Sequence, residues 1–314
     1  MPLLSRLKTH IMTKTFYSNG KLLITGEYLV LDSAKAFALP TKFGQLLTVE
    51  QHQEKTIAWT SYDKDESIWF EDTISFSDII SNTSNDTTVK STLLKILHQA
   101  YLVNPSFLQQ ETGYKINTSL TFPRDWGLGT SSTLINNIAQ WLNIDAFELL
   151  HNSFGGSGYD IACAQNNTPI TYQLSKGKGI VEQVPFEPNF TNCIYFVYLN
   201  QKQNSKTAIA KYRENKNKMF STDVEAVNNL TAAALTASNS TQFAAVMHTH
   251  ERIMSQLLET ATIQEELFSD FPGQIKSLGA WGGDFVMVVA NQNPQEYFAS
   301  KGYNTFLTYN EMIL

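Results

Sequence analysis

The segment PRDWGLGTSST, residues 123–133, carries residue types that suit chemistry on a phosphate group. Gly127 and Gly129 allow a backbone to approach a ligand closely, because glycine has no Cβ and tolerates positive φ angles. The amides of residues 130–132 would then point out of a helix N-terminus, where anions are stabilised. On the glycines alone, a phosphate-binding loop and a structural turn are equally good interpretations.

This segment differs from two common glycine-rich motifs. No Gly-Lys-Ser/Thr follows it, as a P-loop requires, and the third glycine of the dinucleotide fingerprint is missing. An alternating strand pattern over 114–122 precedes it and a helical pattern over 131–142 follows it. We therefore expect the loop to join a strand to the N-terminus of a helix.

The remaining patterns mix strands and helices. Expected strands include LLITGEYLVL (22–31), FGQLLTVEQ (43–51), TIAWTSY (56–62), SIWFEDTISF (67–76), IACA (161–164), ITYQL (170–174), IYFVYLN (194–200), FVMVVA (285–290) and a last strand near 303–309. Expected helices cover 89–101, 145–151, 240–260, 294–300 and, with a possible break, 205–237.

The stretch KGKGIVEQVPFEPN, residues 176–189, mixes Gly and Pro with charged residues and predicts a domain boundary. After it, the order strand, helices, strand, helix, strand is typical of a small α+β sandwich. We expect a first domain over 12–185, a second over 186–314 and a disordered extension over 1–11.

The composition argues against several classes of protein. The chain of 314 residues is 42% hydrophobic, enough for a large core, and its net charge of −6 makes nucleic acid an unlikely partner. It has no apolar run of roughly 18 residues and no signal-peptide core, so neither a membrane span nor export is expected, and the expected location is cytoplasmic. Cys163 and Cys193 show no paired spacing and are expected to be free, buried thiols.

Three blocks of sequence resemble the GHMP small-molecule kinases, the family of galactokinase, homoserine kinase, mevalonate kinase and phosphomevalonate kinase. The central signature of that family is matched without a gap by Pro123, Gly127, Leu128, Gly129, Thr130 and Ser131. NGKLLITGEYLVL (19–31) resembles the N-terminal block, with Asn19 in place of proline. GAWGGDF (279–285) resembles the C-terminal block, with Trp281 in place of glycine.

The resemblance implies an α+β fold with an N-terminal mixed β-α-β domain and a C-terminal ferredoxin-like α/β sandwich. It also implies ATP as phosphoryl donor and Mg²⁺, with Ser131 as a metal ligand. The family's second metal ligand is a glutamate, and Glu148 is either that ligand or part of a capping box at Asp145. The residues implied for ATP binding are Gly127, Leu128, Gly129, Thr130, Ser131 and Ser132.

The segment GGSGYDIACA, residues 155–164, resembles the stretch that supplies the catalytic aspartate in mevalonate-type members. Asp160 would accept the proton of an acceptor hydroxyl or orient the acceptor, and Lys21 would keep Asp160 ionised and neutralise phosphate charge. Taken singly, a turn-capping carboxylate and a surface lysine would also explain these residues. The residues implied for acceptor binding are Glu27, Ser157, Gly158, Ala280, Gly282 and Gly283.

The resemblance implies a kinase in isoprenoid precursor synthesis whose acceptor is mevalonate or 5-phosphomevalonate. For a phosphorylated acceptor, the nearest basic residues by sequence are Arg124, Lys202 and Lys206. Two alternatives stay open: an ATP-dependent decarboxylase of the diphosphomevalonate type, and a binding protein that has lost catalysis. The expected partner is a small molecule, without nucleic acid or membrane, and a homodimer is left open.

Two histidines, His248 and His250, lie on the expected helix 240–260. Because they are two residues apart, they face different directions, which argues against a shared metal ion. We expect both on a solvated helix face.

Overall fold

The structure, a computed structural model, describes residues 13–82, 86–202, 205–214, 221–281 and 283–314, apart from the side chains of 205–208, 211 and 221. The extension expected over 1–11 lies outside this part of the chain. The described residues form two sheets with accompanying helices, which is the α+β class.

The first sheet has seven strands and mixes parallel with antiparallel pairing. Its strands are Lys14–Thr25 (β1), Ala36–His52 (β2), Thr56–Tyr62 (β3), Ile68–Ser75 (β4), Gly113–Leu120 (β5), Ile170–Ser175 (β6) and Lys178–Gln183 (β7). The order is β4-β3-β5-β2-β6-β7, with β1 paired to β2. Strands β3 and β5 run parallel, whereas β2 is antiparallel to β1, β5 and β6.

The second sheet has four antiparallel strands. They are Ile194–Tyr198 (β8), Gln274–Ser277 (β9), Phe285–Val289 (β10) and Phe306–Thr308 (β11), in the order β11-β8-β10-β9. Helices lie between β8 and β9 and between β10 and β11, which gives the β-α-β-β-α-β succession of a ferredoxin-like sandwich.

The helices accompany the two sheets in sequence. They are Phe76–Ser81 (α1), Val89–Val103 (α2), Thr130–Leu142 (α3), Ala146–Ser153 (α4), Tyr159–Gln165 (α5), Ser205–Glu214 (α6), Ser221–Leu235 (α7), Ser240–Leu258 (α8), Ile263–Leu267 (α9), Gln295–Ser300 (α10) and Tyr309–Met312 (α11). The helices expected from 3.6-residue periodicity are therefore confirmed, with ends that shift by a few residues, and the pattern over 205–237 is divided between α6 and α7. None of the described helices is long and apolar enough to cross a membrane.

Apolar side chains lie on both faces of the first sheet. On one face, Leu47 and Trp59 pack with residues of α1 to α5. On the other, Leu22 and Phe37 share a core with Phe285 of the second sheet. The two sheets are therefore joined by a continuous apolar core.

One expected strand extends too far and another is wrong. In LLITGEYLVL, β1 ends before Gly26 (φ 89°) and Tyr28 (φ 58°), whose left-handed conformations turn the chain into a 3₁₀ turn over Leu29–Asp32. The segment IACA lies inside α5. All four of its residues are buried, and a short, fully buried apolar run has no periodicity that separates strand from helix.

Candidate active site

The glycine loop between β5 and α3 lines a cavity of about 810 Å³. Gly127 (φ 69°) and Gly129 (φ 95°) adopt the left-handed conformation, and α3 begins directly after Gly129. Leu128 is buried, and its carbonyl accepts a hydrogen bond from the amide of Lys21 (3.1 Å), which holds the loop against β1. The loop residues that line the cavity are Gly127, Gly129, Thr130, Ser131 and Ser132. The first amides of a helix lack intrahelical partners, so this cavity suits an anion.

Lys21 and Asp160 form an ion pair in the same cavity, with Nζ 3.5 Å from Oδ1. The Lys21 Nζ also donates to the carbonyl of Gly127 (3.4 Å) and lies 5.5 Å from the centre of the Tyr159 ring. Burial alone would lower the pKa of Lys21, but Tyr159 and Asp160 outweigh it and raise that pKa. Lys21 therefore stays positively charged beside Asp160 and the loop.

The packing of α3 and α5 against β1 explains why distant residues meet here. Lys21 follows a register shift in β1, and Asp160 lies in the first turn of α5. Asn19 stands where the family has proline. Its Nδ2 donates to the carbonyl of Asn166 (2.9 Å) and to Oδ1 of Asn167 (2.8 Å). This side chain ties β1 to the end of α5, so the departure from proline has a structural use.

A second cavity of about 110 Å³ adjoins the first and shares Lys21 and Asp160 with it. Of the residues expected to bind the acceptor, Glu27, Ser157 and Ala280 line this second cavity. The loop, the ion pair and these three residues therefore surround one continuous space between segments of the two sheets.

The other glycines expected at the acceptor have different positions. Gly158 (φ 96°) is the N-cap residue of α5, and Gly283 is buried. Neither is among the described residues that line the two cavities. Gly282 lies outside the described residues.

Glu148 is exposed on α4 and lines neither cavity. Asp145 caps α4 by accepting hydrogen bonds from the amides of Phe147 (2.7 Å) and Glu148 (3.3 Å). The position of Glu148 therefore argues against a metal ligand, and of the expected capping box the structure shows the Asp145 cap. In the part of the chain that the structure describes, no group of three or more His, Cys, Asp or Glu side chains is arranged to hold a metal ion.

Asp284 is a residue of this site that the sequence reasoning did not assign. It lines both cavities, is 7% exposed and has a φ of 53°. A Cβ added at Gly127 would collide with its carboxylate, so Asp284 lies directly against the glycine loop. Its amide donates to the carbonyl of Gln201 (2.8 Å), and its carbonyl accepts from the amide of Leu199 (2.8 Å). The available signal was Gly-Gly-Asp in the C-terminal block.

Of the basic residues considered for a phosphorylated acceptor, Lys202 lines the first cavity. Its Nζ donates to the carbonyl of Arg124 (2.9 Å). The guanidinium of Arg124 lies 5.1 Å from the centre of the Trp69 ring, and Arg124 lines neither cavity. The side chain of Lys206 lies outside the described residues. Arg213, on α6, also lines the first cavity and is the third basic residue described there, beside Lys21 and Lys202.

The expectation that both histidines are solvated is wrong for His250. His250 is fully buried, and its Nε2 accepts a hydrogen bond from the amide of Gly26 (3.0 Å). His248 is exposed, as expected. The face of α8 that carries His250 is covered by the turn after β1, a contact that helical spacing alone does not reveal.

Trp281, the other departure from the family pattern, is half-buried. It packs against an apolar cluster that includes Tyr28, Tyr212 and Met254, and it lines neither cavity. The contacts therefore favour packing as the role of Trp281.

Comparisons with known proteins agree with this arrangement. No protein-family profile matches the chain. A mevalonate kinase of Methanocaldococcus jannaschii is 24% identical over 303 residues, which cover 88% of this chain and 92% of that protein. The solved structure of a mevalonate kinase from Methanococcus jannaschii superposes with a TM-score of 0.69 at 15% identity, covering 94% of this chain and 95% of that one.

Two further solved structures superpose equally well. Streptococcus pneumoniae phosphomevalonate kinase, in complex with phosphomevalonate and AMPPNP, has a TM-score of 0.69 at 14% identity and covers 94% of this chain and 99% of that one. Lactococcus lactis galactokinase, complexed with galactose, has a TM-score of 0.69 at 14% identity, with coverages of 94% and 92%. At these identities the likeness establishes architecture rather than acceptor. The chain therefore resembles the GHMP small-molecule kinases and has their two-domain α+β fold.

Proposed function

We propose that this chain is an ATP-dependent kinase that transfers the γ-phosphoryl group of ATP to a hydroxyl or phosphate oxygen of a small acceptor. The observation that carries the proposal is the Lys21–Asp160 ion pair, which lies in one cavity with the glycine loop at the start of α3. An anion site, a fixed positive charge and a carboxylate are the parts that phosphoryl transfer requires.

Each part has a role in the proposed reaction. The loop and the N-terminus of α3 hold the phosphates of ATP, and Lys21 neutralises charge on the transferred group. With a hydroxyl acceptor, the acceptor oxygen bonds to the γ-phosphorus while the bond from that phosphorus to ADP breaks. The proton of the hydroxyl passes to the carboxylate of Asp160. The products are the phosphorylated acceptor and ADP.

Magnesium fits the donors present in this site. The first cavity offers the hydroxyl of Ser131, and hydroxyl, carboxylate and phosphate oxygens are the ligands that Mg²⁺ prefers. Ser131, together with phosphate oxygens of the nucleotide, would hold the ion. Bound there, Mg²⁺ would offset negative charge on the phosphates.

A mevalonate-type acceptor, either mevalonate or 5-phosphomevalonate, is the substrate class we propose. The names of the similar proteins, mevalonate kinase and phosphomevalonate kinase, support it. The reaction would then belong to isoprenoid precursor synthesis. We also propose the division into domains 12–185 and 186–314, because the first sheet ends at Gln183 and the second begins at Ile194.

The test is ADP release from ATP as a function of Mg²⁺ and of acceptor. Mevalonate, 5-phosphomevalonate, homoserine, galactose and diphosphomevalonate are compared, and carbon dioxide is measured in parallel. We expect turnover with one acceptor. If that acceptor is a hydroxyl, Asp160→Asn should lower kcat by roughly 100- to 10,000-fold, because the proton loses its carboxylate. Lys21→Met should lose activity with either type of acceptor.

Lys178→Met and Asp65→Asn are matched controls, because both residues are exposed and neither lines a cavity. They should retain the activity of the unaltered protein. Carbon dioxide release with diphosphomevalonate would instead identify a decarboxylase. A folded protein that binds no ATP would contradict the proposal and favour a non-catalytic role.

A further inference from the structure

A cluster of charged side chains is buried behind the second cavity. It consists of Glu27, from the turn after β1, His250 and Glu251, from α8, and Lys276 and Ser277, from β9. Each of the five is at most 2% exposed. Because burying charge is costly, such a cluster persists only where its members are paired.

Lys276 is the centre of the cluster. Its Nζ donates to Oε1 of Glu27, to Oε1 of Glu251 (3.3 Å) and to the carbonyl of Ser277 (2.7 Å). The hydroxyl of Ser277 donates to the other oxygen of Glu251 (3.0 Å). One ammonium group on β9, a strand of the second sheet, thus contacts α8 and the turn that follows β1 of the first sheet.

Glu27 also lies next to the imidazole of His250. Nε2 of His250 accepts a hydrogen bond from the amide of Gly26 (3.0 Å), and Oε2 of Glu27 lies 3.3 Å from the same nitrogen. Among the described residues, neither Oε2 of Glu27 nor Nδ1 of His250 has a hydrogen-bond partner. Burial, followed by the charge of Lys276, lowers the pKa of His250 well below its ordinary value. The imidazole is therefore neutral, and it does not balance the carboxylates.

The cluster holds two carboxylates against one ammonium group. Burial raises the pKa of Glu27 from 4.5 to about 7, although Lys276 opposes the rise, and Glu251 adds to it. Burial also raises the pKa of Glu251. The other ionisable groups among the described residues that line the second cavity with Glu27 are Lys21, Tyr28, Tyr159, Asp160 and Asp284. The cluster therefore takes up a proton near neutral pH.

Two members of the cluster belong to chain segments that line the second cavity. Glu27 and the neighbouring Tyr28 line one wall. Ser277 is followed directly by the segment that contributes Gly279 and Ala280 to the opposite wall. A change in the charge of the cluster would act on both walls at once.

We propose that Lys276 is a positioning residue, which holds the turn at Glu27 against the segment after β9 through its buried ion pairs, and that acceptor binding weakens when the cluster gains a proton. This inference rests on the proposed kinase function. The resemblance implied that Glu27 binds the acceptor. Here its carboxylate instead faces Lys276 and positions the wall of the cavity.

The experiment compares Glu251→Gln, Lys276→Met and the unaltered protein between pH 5 and 9, with KM for the acceptor, KM for ATP and kcat measured separately. When Glu251 loses its charge, Glu27 is the one carboxylate of the cluster that pairs with Lys276. The pKa of Glu27 therefore falls. In the plot of kcat/KM for the acceptor against pH, the fall on the acid side should shift to lower pH by about one unit. At a fixed pH on that side, kcat/KM should therefore be roughly tenfold higher than in the unaltered protein. KM for ATP should change less than about twofold.

Lys276→Met should have the opposite effect, with a rise of about tenfold or more in the acceptor KM at pH 7. Because that variant leaves two buried carboxylates without a cation and is at risk of misfolding, Glu251→Gln carries the test. Glu266→Gln, at an exposed position on α9, is the matched control and should leave the pH profile unchanged. An unchanged acid limb and acceptor KM in Glu251→Gln would overturn the proposal.

Urea unfolding at each pH separates this inference from the proposed function. The raised pKa values of Glu27 and Glu251 mean that the folded state keeps protons that the unfolded state loses near pH 4.5. Their contribution to the free energy of unfolding therefore falls as pH rises from 5 to 7, and it should fall less in Glu251→Gln. If the free energy of unfolding had the same pH dependence in Glu251→Gln as in the unaltered protein, the raised pKa values of the cluster would be refuted. Normal slopes without turnover on any acceptor would refute the kinase function.

Discussion

At the scale of single residues, the glycine loop and Asp284 constrain each other. Gly127 has a φ of 69°, and the carboxylate of Asp284 occupies the place of any Cβ at that position. Gly177 has a similar φ of 77° in the turn between β6 and β7, but nothing lies within 4 Å of its Cβ position. The two glycines thus share a backbone conformation and differ in their surroundings.

Gly127→Ala should therefore cost more than Gly177→Ala. We expect about 1 kcal/mol for Gly177→Ala from the left-handed conformation alone, and about 3 kcal/mol for Gly127→Ala, where the collision is added. Urea unfolding of both variants measures the difference, and ATP affinity should fall in Gly127→Ala alone. Equal losses of stability in the two variants would show that Asp284 does not press on the loop.

Thiol reactivity is a second property of single residues. Cys163 is fully buried in α5, and burial, followed by the charge of Asp160, raises the pKa of its thiol. Cys193 is partly accessible. In the native protein a thiol reagent should modify Cys193 first, whereas Cys163 should react after unfolding. Mass spectrometry of the labelled peptides gives the order, and early labelling of Cys163 would contradict the packing of α5.

At the scale of elements, α3 is attached to the first sheet by buried polar side chains. Nδ2 of Asn137 donates to the carbonyl of Gln45 (2.9 Å), and its Oδ1 accepts from the hydroxyl of Ser18 (2.7 Å). Asn136 donates to the same hydroxyl (2.8 Å). These bonds join α3 to both β1 and β2, so they set where the helix begins relative to Lys21.

Removing this attachment should destabilise the protein more than removing a surface bond. Asn137→Ala leaves a buried carbonyl and hydroxyl unpaired and should cost about 1–3 kcal/mol. Gln140→Ala, at an exposed position of the same helix, removes only longer bonds to the carbonyl of Tyr17 (3.2 Å) and the hydroxyl of Ser18 (3.3 Å), and it should cost about 0.5 kcal/mol or less. Chemical unfolding of both variants measures these values. Similar losses would mean that water replaces the Asn137 contacts.

At the scale of the whole molecule, the two sheets depend on one shared core. Leu22, Ile24 and Phe37 of the first sheet are buried with Phe196 and Phe285 of the second. Separating the proposed domains would expose this apolar surface to water. The sheets therefore do not behave as independent folding units, even though each has a complete strand order.

A fragment spanning 12–185 should consequently fail to fold cooperatively. We expect it to bind the dye ANS and to show no sigmoidal unfolding curve, whereas the full chain should unfold in a single transition. Circular dichroism during thermal unfolding, with dye fluorescence in parallel, makes the comparison. A fragment that unfolds cooperatively and binds no dye would show that the shared core is dispensable.

Several features could be predicted because their causes are local. The helix over 131–142 follows from apolar spacing, and the left-handed turns at Gly127 and Gly129 follow from the residue type. Features that depend on neighbours were missed. IACA gave no periodicity to choose between strand and helix, and His250 was assigned to solvent because its partner, Gly26, is 224 residues away.

The sequence by itself determined the glycine loop and its strand-to-helix setting, and the resemblance of two further short blocks to a known family indicated Lys21 and Asp160, the residues proposed for the chemistry. These depend on backbone conformations and short motifs that a chain specifies within a few residues. Only the tertiary structure decided that Lys21 meets Asp160 at 3.5 Å, that Asp284 closes on the loop, and that Lys276 is buried between two carboxylates. Such contacts join segments far apart in the chain, and their free energy comes from desolvation and packing that exist only once both sheets are assembled.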